Sequence, residues 1–386
     1  MKGAIKRKLS DVCTIIAGQS PESKYYNQDG IGLPFFQGKA DFGDLYPTIR
    51  TYCSTPTKIA QKNDILLSVR APVGATNLAP TKVCIGRGLT AIRPADCLST
   101  KYLLLFFRYF QAELAQKGAG TTFNAITQTV VKNIEIPVPH LEEQERIISK
   151  IEELFSEIDN AVSSLKAAKR KLAAYRHAVL KSVFNNTSPK RKISELSTLV
   201  TSGSRGWAKY YSPDGVRFIR ITDLTRDKII LDNSNIQRVK LPKITEGKRS
   251  KLQGNDILIS ITADLGSIAL VPCDIEEAYI NQHIALVRFS EPKLGKLAAW
   301  YLKSEYGQKD LLKNKRGGGK LGLGLDDIRN TPIPDIPIHK AESIVGILEE
   351  RFSVCDEIEK VIGKSIQEST ALKQSILKKA FEGELV

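Results

Sequence analysis

The sequence predicts an α+β protein in which two similar small domains are each followed by a long helix. Two observations support this fold. Sequence blocks of the first half return in the same order in the second half, and each half ends in a long segment with heptad periodicity. The predicted segments are a domain at 1–140, a helix at 141–185, a domain at 186–338 and a helix at 339–386.

The duplication rests on five matched blocks. The offset between the copies grows from 184 to 197 residues along the chain, as insertions between the blocks would produce. The pairs are Arg7–Ser10 with Arg191–Ser194, Asn63–Val69 with Asn255–Ile261, Ile136–Pro139 with Ile333–Ile336, Ile151–Phe155 with Leu348–Phe352, and Arg176–Phe184 with Lys373–Phe381. Five matches in one order indicate an internal pseudo-twofold duplication.

The two small domains share short apolar runs of strand length, broken by Gly and Pro. Between these runs, residues 19–58 and 203–250 have little in common beyond polar and aromatic side chains. A shared scaffold with divergent loops is expected of two binding domains with different targets. The alternative is that unselected surface has drifted after duplication.

The first long segment has no Gly or Pro from Leu141 to Phe184, so it predicts a helix of roughly 65 Å at about 1.5 Å per residue. Its apolar heptad positions are Ile147, Leu154, Ala161, Ala168, Tyr175, and Ile151, Ile158, Leu165, Leu172, Val179. The second helix has a weaker seam of Ile344, Leu348, Ile358, Ile362, Leu372 and Ile376, interrupted by Arg351, Cys355, Ser365 and Ser369. Pairing the two seams as an antiparallel coiled coil would bury both.

The charge balance indicates a polyanionic partner. The formal net charge is +15 and the pI is near 9.4. A basic surface that only confers solubility is the alternative. The sequence lacks a membrane-length apolar run and a signal peptide, which predicts a cytoplasmic protein without membrane contact. Six dispersed cysteines and four dispersed histidines predict no metal site and reduced thiols.

Motifs for catalysis are missing from the sequence. It contains neither an Asn/Asp-Pro-Pro-aromatic motif for amino methylation nor a Phe-x-Gly-x-Gly loop for S-adenosylmethionine. The segment Gly317–Gly324 has glycines and a lysine but not the spacing of a phosphate-binding P-loop. We therefore expect a non-catalytic binding protein with no cofactor of its own.

Two local motifs carry a family resemblance. They are the start of the first helix, with Pro137, Pro139, Leu141, Glu143 and Gln144, and the C-terminal segment Leu372–Val386. Together with the duplication, they make the chain resemble the specificity subunits of type I restriction-modification systems over essentially its whole length. The start of the second helix, Pro337–Glu342, departs from the pattern because the Glu-Gln pair is missing.

The resemblance implies a division of labour. Two target recognition domains would each read one half of a bipartite, asymmetric site on double-stranded DNA, and the antiparallel coiled coil would fix their distance. Two modification subunits would methylate adenine with S-adenosylmethionine, and restriction subunits would use ATP and Mg to translocate and cleave DNA. Residues Leu141, Glu143 and Gln144 would then contribute to partner binding.

Candidates for DNA contact are polar and basic side chains in divergent loops or after shared strands, because Arg and Lys suit phosphates and guanine while Asn and Gln suit adenine. In the first domain they are Lys39, Arg70, Asn77, Arg87, Thr121, Thr122 and Asn124. In the second domain they are Arg205, Trp207, Lys209, Arg220, Thr222, Thr262, His283, Arg316 and Lys320. For each, the alternative is a solvated surface residue, and for Trp207 a half-buried anchor.

Two other functions remain open at this point. One is a methyltransferase or nuclease that carries its own recognition domains. The other is a basic coiled-coil adaptor. Neither explains why two domains share a scaffold and differ in their loops.

Overall fold

The repeat in the sequence is also a repeat in the structure. A computed structural model describes residues 5–118, 125–185, 187, 190–241, 248–313, 315 and 322–385. The chain divides into two compact units, the first formed by Met1–Leu165 with Lys364–Val386 and the second by Lys166–Gly363. Each unit therefore contains one repeated domain and parts of both long helices.

The first repeat contains eleven strands and four helices among its described residues. In chain order they are β1 (Ile5–Lys8), α1 (Leu9–Val12), β2 (Cys13–Ala17), β3 (Tyr26–Asn27), β4 (Leu33–Phe36), β5 (Tyr52–Cys53), β6 (Ile59–Ala60), β7 (Ile65–Ser68), β8 (Thr76–Leu78), β9 (Val83–Ile85), β10 (Leu89–Pro94), α2 (Thr100–Gly118), α3 (Gln128–Lys132), β11 (Glu135–Val138) and α4 (Leu141–Phe184).

The second repeat has the corresponding order. Its elements are β12 (Lys190–Lys192), α5 (Ile193–Leu196), β13 (Ser197–Ser202), β14 (Tyr211–Ser212), β15 (Val216–Ile219), β16 (Gln237–Val239), β17 (Ile257–Ser260), β18 (Ile268–Leu270), β19 (Ala278–Ile280), β20 (Ile284–Phe289), α6 (Pro292–Lys303), α7 (Glu305–Leu312), α8 (Leu325–Arg329), β21 (Pro332–Pro334) and α9 (Ile338–Glu382). Short 3-10 helices lie in the divergent loops of both repeats.

The two units contain corresponding sheets, although the mixed sheet has five strands in the first unit and four in the second. A four-stranded antiparallel sheet has the order β2-β10-β7-β8 in the first unit and β13-β20-β17-β18 in the second. A mixed sheet lies beside it, with β4 parallel to β9 and β15 parallel to β19. A two-stranded ribbon, β1-β11 or β12-β21, completes each domain. The α+β class and the duplication are thus confirmed.

The turn before the central strand repeats in atomic detail. Asn63 and Asn255 have φ values of 68° and 69°, in the left-handed region that Asn tolerates better than most residues. The buried Asp64 carboxylate accepts two hydrogen bonds from Arg93, at 2.8 and 2.7 Å. Asp256 accepts the same pair from Arg288, both at 2.7 Å.

The long helices have the lengths expected from the sequence, 44 residues for α4 and 45 for α9. In the second unit they run antiparallel, because Arg176 pairs with Asp356 at 2.7 Å while Lys169 pairs with Glu359 at 3.5 Å. In the first unit Lys373 of α9 pairs with Asp159 of α4 at 2.6 Å.

The predicted seam of α9 is partly wrong. Cys355, expected to interrupt it, is 2% exposed, whereas Ile358 and Leu372, expected in it, are 43% and 50% exposed. In α4, Ala161 and Tyr175 are also exposed. The reason is that the helices pack against the domains as well as against each other. In the first unit Phe381 contacts the α2 rings of Tyr102, Phe106 and Tyr109, and in the second Phe184 contacts Tyr301.

Candidate nucleic-acid interface

Four positions at strand ends correspond between the two domains. One comes two residues before β10 or β20, and one directly follows β4 or β15. A third position lies two residues after β7 or β17, and the fourth lies three residues after β2 or β13. We call these the four equivalent positions; they are Ser20, Gln37, Arg70 and Arg87 in the first domain and Arg205, Arg220, Thr262 and Gln282 in the second.

Backbone contacts establish two of these correspondences. Arg70 and Thr262 each form an isolated antiparallel bridge, with Ala125 and Gly322, just before α3 and α8. The residue preceding Arg70 donates its N–H to the Gly88 carbonyl, and the residue preceding Thr262 donates to the His283 carbonyl. Arg87 and Gln282, one residue before those carbonyls, therefore occupy matching places.

In the first domain hydrogen bonds join three of the four equivalent positions, Ser20, Gln37 and Arg87. The Ser20 hydroxyl and the Gln37 amide are hydrogen-bonded, with Gln37 Nε2 at 2.8 Å from Ser20 Oγ. Ser20 Oγ also accepts the backbone N–H of Arg87 at 3.2 Å. Gly86 and Gly88 allow this approach, since a Cβ on either would overlap Gln37. The Arg70 and Arg87 side chains are exposed beside this cluster.

In the second domain the corresponding region is an open cavity of about 650 Å³. Its polar lining includes Arg205, Arg249, Thr262, Gln282 and His283. Thr262 Oγ1 and Gln282 Nε2 each lie 2.7 Å from a different ring nitrogen of His283. The Gln282 amide and the Thr262 hydroxyl therefore bond opposite sides of one imidazole ring. His283 thus fixes the two side chains that flank it.

The chemistry at matching positions differs between the domains. Arg70 corresponds to Thr262, and Arg87 corresponds to Gln282. A guanidinium suits guanine or phosphate, while a glutamine amide can pair with adenine in two hydrogen bonds. The shared scaffold therefore presents two different sets of donors and acceptors.

Several predicted contacts are exposed or partly exposed. Lys39 lies in the 3-10 helix Lys39–Asp41, and Lys209 in the 3-10 helix Trp207–Tyr210. Thr222 is exposed, but its hydroxyl lies 3.2 Å from Asp223. The guanidinium of Arg220 is half-buried and donates to the Asn235 carbonyl at 2.9 Å, so it is partly committed within its own domain.

Three of the predicted site residues are buried in the structure. Asn77 is 1% exposed, and its amide bonds the N–H and carbonyl of Gly43. Trp207 packs in a cluster with Phe218 and Tyr279 rather than serving as a half-buried anchor. Gln144, predicted to bind a partner, is fully buried; it accepts from the Ser99 N–H and donates to the carbonyls of Cys97 and Pro139.

Other predictions stay as they were. Leu141 is exposed and Glu143 half-buried at the start of α4, and both stay predicted partner contacts. Thr121, Thr122, Asn124, Arg316 and Lys320 lie outside the described residues. Sequence reasoning missed Ser20, Gln37, Arg249 and Gln282, although three of them could have been found by their fixed distance from a shared strand.

Within the described ranges, no three or more His, Cys, Asp or Glu side chains are grouped so that they could hold a metal ion. In that part of the chain, no helix is long and apolar enough to cross a membrane.

Comparison with known proteins decides the family. The family model described as "Type I restriction modification DNA specificity domain" matches residues 1–166 and again residues 190–368. The chain belongs to the type I restriction-modification DNA specificity family. The two matches correspond to the two repeats, and together they cover most of the specificity chain.

Relatives of this specificity chain extend over different shares of it. The StySPI specificity subunit of Salmonella potsdam is 26% identical over 98% of this chain and 88% of its own length. The EcoKI specificity subunit of Escherichia coli K12 is 24% identical over 100% and 89%. The putative MjaX specificity subunit of Methanocaldococcus jannaschii is 44% identical, but over 36% of this chain and 32% of its own length.

Solved structures show the same fold. A chain from a type I R-M system, solved in work on complex assembly and conformational transition, has a TM-score of 0.73 at 20% identity, covering 100% of this chain and 99% of its own. The HsdS subunit of Thermoanaerobacter tengcongensis has a TM-score of 0.52 at 19% identity, covering 99% and 97%.

Proposed function

We propose that the chain selects the DNA target of a type I restriction-modification complex, each domain reading one half of a bipartite asymmetric site. The observation that supports this most directly is that one scaffold occurs twice with different side chains at equivalent positions. Arg70 of the first domain corresponds to Thr262 of the second, and Arg87 corresponds to Gln282. Such an arrangement suits two unlike half-sites. The net charge of +15 supports binding to a duplex, and affinity should fall steeply with salt.

Methylation and cleavage belong to other subunits in this proposal. The specificity chain would bind double-stranded DNA and two modification subunits, and restriction subunits through the complex. S-adenosylmethionine, ATP and Mg would be used by those partners. Action in the cytoplasm, where such complexes would meet DNA, is part of the same proposal.

An exposed apolar stripe supports partner binding on α9. Ile347, Val354 and Val361 recur every seven residues, and Ile358 lies between the last two. All four are 43% to 62% exposed. The corresponding residues of α4 are Lys150, Glu157, Ser164 and Ala161, so the paired-helix scaffold does not require apolar side chains there. We assign this stripe, rather than Gln144, to a helix of a modification subunit.

The docking proposal is tested by Val354→Asp. Burying a valine side chain contributes about 1.5 kcal/mol or more, so complex formation with a modification subunit should weaken at least about tenfold. Ile230→Asp is the matched control, since Ile230 is also exposed but lies in the recognition domain. Equal affinities of the two variants in a titration would contradict the assignment.

The reading proposal is tested by Arg87→Ala and Gln282→Ala. Each complex, assembled with modification subunits, selects sites from a library of random duplexes. Loss of one base contact removes about 1–3 kcal/mol of discrimination, so Arg87→Ala should relax only one half of the selected motif and Gln282→Ala only the other. If both variants relaxed the same half, or if neither changed the motif, the assignment of one half-site to each domain would be wrong.

A further inference from the structure

A basic groove in the second unit lies outside the four equivalent positions. It is an open cavity of about 550 Å³ between α4, the end of α6 and the segment after the 3-10 helix Ile221–Asp223. Six cationic side chains line it: Lys166, Lys169, Arg170, Arg176, Arg226 and Lys303. Only two carboxylates, Asp227 and Glu359, are in the lining, so six positive and two negative groups leave a net charge of four positive.

The cations of α4 form a row. Lys166, Lys169, Arg170 and Arg176 follow the spacing that places residues on one helix face. From 166 to 176 the row is about 15 Å long at 1.5 Å per residue. One strand of a duplex advances about 3.4 Å per phosphate along its axis, so the row has the length of about four phosphates. This shape fits an extended polyanion better than a single small anion.

Part of this charge is not neutralised within the protein. Arg176 and Lys169 pair with carboxylates of α9, and Arg226 pairs with Asp264. Lys166 and Arg170 are exposed and have no hydrogen-bond or ion-pair partner among the described residues. They are therefore available to an external anion.

Lys303 adds an ammonium group at the inner wall. Its Nζ donates to the Thr225 carbonyl at 2.6 Å. Burial lowers the pKa of Lys303 to about 8, because desolvation disfavours the charged form. An anion in the groove would offset that cost.

The corresponding cavity of the first unit shows that the scaffold does not need this charge. It is lined by Lys39, Arg108 and Lys373 and by the carboxylates Asp44 and Asp159, which leaves one positive charge. By the matched blocks, Lys373 corresponds to Arg176 and Asp159 to Asp356. The same alignment places Gly363, Ile366 and Gln367 where α4 has Lys166, Lys169 and Arg170. The extra cations are thus a property of one repeat.

We propose that the basic groove binds the phosphodiester backbone of the target duplex at nucleotides whose bases the domains do not read. The proposal rests on the DNA-binding function proposed above. It adds a contact between α4 and DNA that does not depend on base sequence. Only the second unit would make this contact, so that unit would bind DNA more tightly than the first.

The test replaces the two unpaired cations in the full chain, Lys166→Gln with Arg170→Gln. Affinity for a random-sequence duplex is measured over a range of salt concentrations. Each lost phosphate contact lowers the slope of log affinity against log salt by about 0.9, so the double variant should lose about 1.8. The matched control is Lys171→Gln with Lys360→Gln, two exposed lysines of the same unit outside the groove, which should keep the wild-type slope.

The outcomes separate the proposals. A wild-type slope in the groove variant overturns the groove inference and leaves the proposed function intact. A wild-type chain whose DNA affinity does not depend on salt overturns the proposed function itself. A second arm titrates inorganic pyrophosphate in a thermal-shift assay. Suppose that pyrophosphate stabilises the wild-type chain but not the groove variant, while both have the same slope of log DNA affinity against log salt. The groove would then be a small-anion site, which would contradict the proposal. If the groove variant lost binding to a modification subunit while its slope of log DNA affinity against log salt stayed unchanged, the groove would bind an acidic protein segment instead of DNA, which would also contradict the proposal.

Discussion

Each domain contains a buried carboxylate that joins several of its elements, Asp64 in the first domain and Asp256 in the second. Each accepts two hydrogen bonds from an arginine and one from a backbone N–H, that of Gln61 or Gln253, at 2.7 Å. The turn, the strand after it and the strand that carries the arginine are thereby joined at one point. These hydrogen bonds stabilise the turn that precedes β7 and the equivalent turn that precedes β17.

Substituting Asn for Asp64 or Asp256 should destabilise the protein by about 2 kcal/mol, the size of charge-assisted hydrogen bonds to a buried carboxylate. The loss should be similar at both sites because the contacts are the same. Denaturant unfolding measures it. Asp326→Asn is the control, since Asp326 is 83% exposed and should change stability by less than about 0.5 kcal/mol. An equally mild effect at Asp64 would contradict this role.

Lys303 makes stability depend on pH in a defined direction. In the unfolded chain its pKa returns to the ordinary value of 10.5, whereas in the fold it is about 8. Between these values the unfolded state binds more protons, so stability should rise as the pH increases through about 8. Lys303→Met should lack this rise. Urea unfolding of both proteins below and above pH 8 tests it, and parallel pH profiles would contradict the account.

At the scale of elements, the long helices were the most predictable part of the fold. A heptad pattern, uninterrupted in α4 and weaker in α9, predicted their existence and length, because such a pattern is local in sequence. The buried face of α9 was less predictable. Cys355 is buried and Ile358 is exposed because α9 also packs on its domain, where Phe352 contacts Trp300. A heptad pattern predicts the buried face for a helix that packs against a single partner helix only.

The proposed binding positions were predictable only where a shared strand marked them. Arg70 and Thr262 were predicted as DNA contacts because they follow such a strand. Asn77 was expected in a loop, but it lies in β8, where its amide bonds the Gly43 backbone. Gln37 was not predicted because its place depends on the parallel pairing of β4 with β9, which joins residues far apart in sequence. Ser20 was not predicted because its hydroxyl meets Gln37 and the Arg87 N–H only in the folded chain.

The length of the paired helices is expected to set the distance between the half-sites. Deleting 162–168 from α4 and 364–370 from α9 removes one heptad from each, about 10 Å. The ion-paired positions Asp159 with Lys373 and Arg176 with Asp356 flank both deletions, so the register is kept. The chain should stay folded by circular dichroism and no longer bind the original target. Unchanged binding to the original target would contradict a spacing role.

At the scale of the whole molecule, neither unit is a simple half of the chain. The first is built from both ends of the sequence, and both units take helix residues from α4 and α9. The aromatic contacts of Phe381 and Phe184 lie at the ends of those helices. Duplication thus repeats the scaffold, while the equivalent positions, the apolar stripe and the basic groove differ between repeats. The two repeats share a fold and differ in their proposed binding surfaces.

This asymmetry leads to the central claim that two unlike half-sites are read at a fixed separation. The most direct measurement is the sequence of all methylated sites in a host that expresses this chain with its modification subunit. The account predicts one motif with two different specified segments separated by a gap of constant length and free sequence. A continuous motif, two identical segments, or methylation that does not depend on this chain would contradict it.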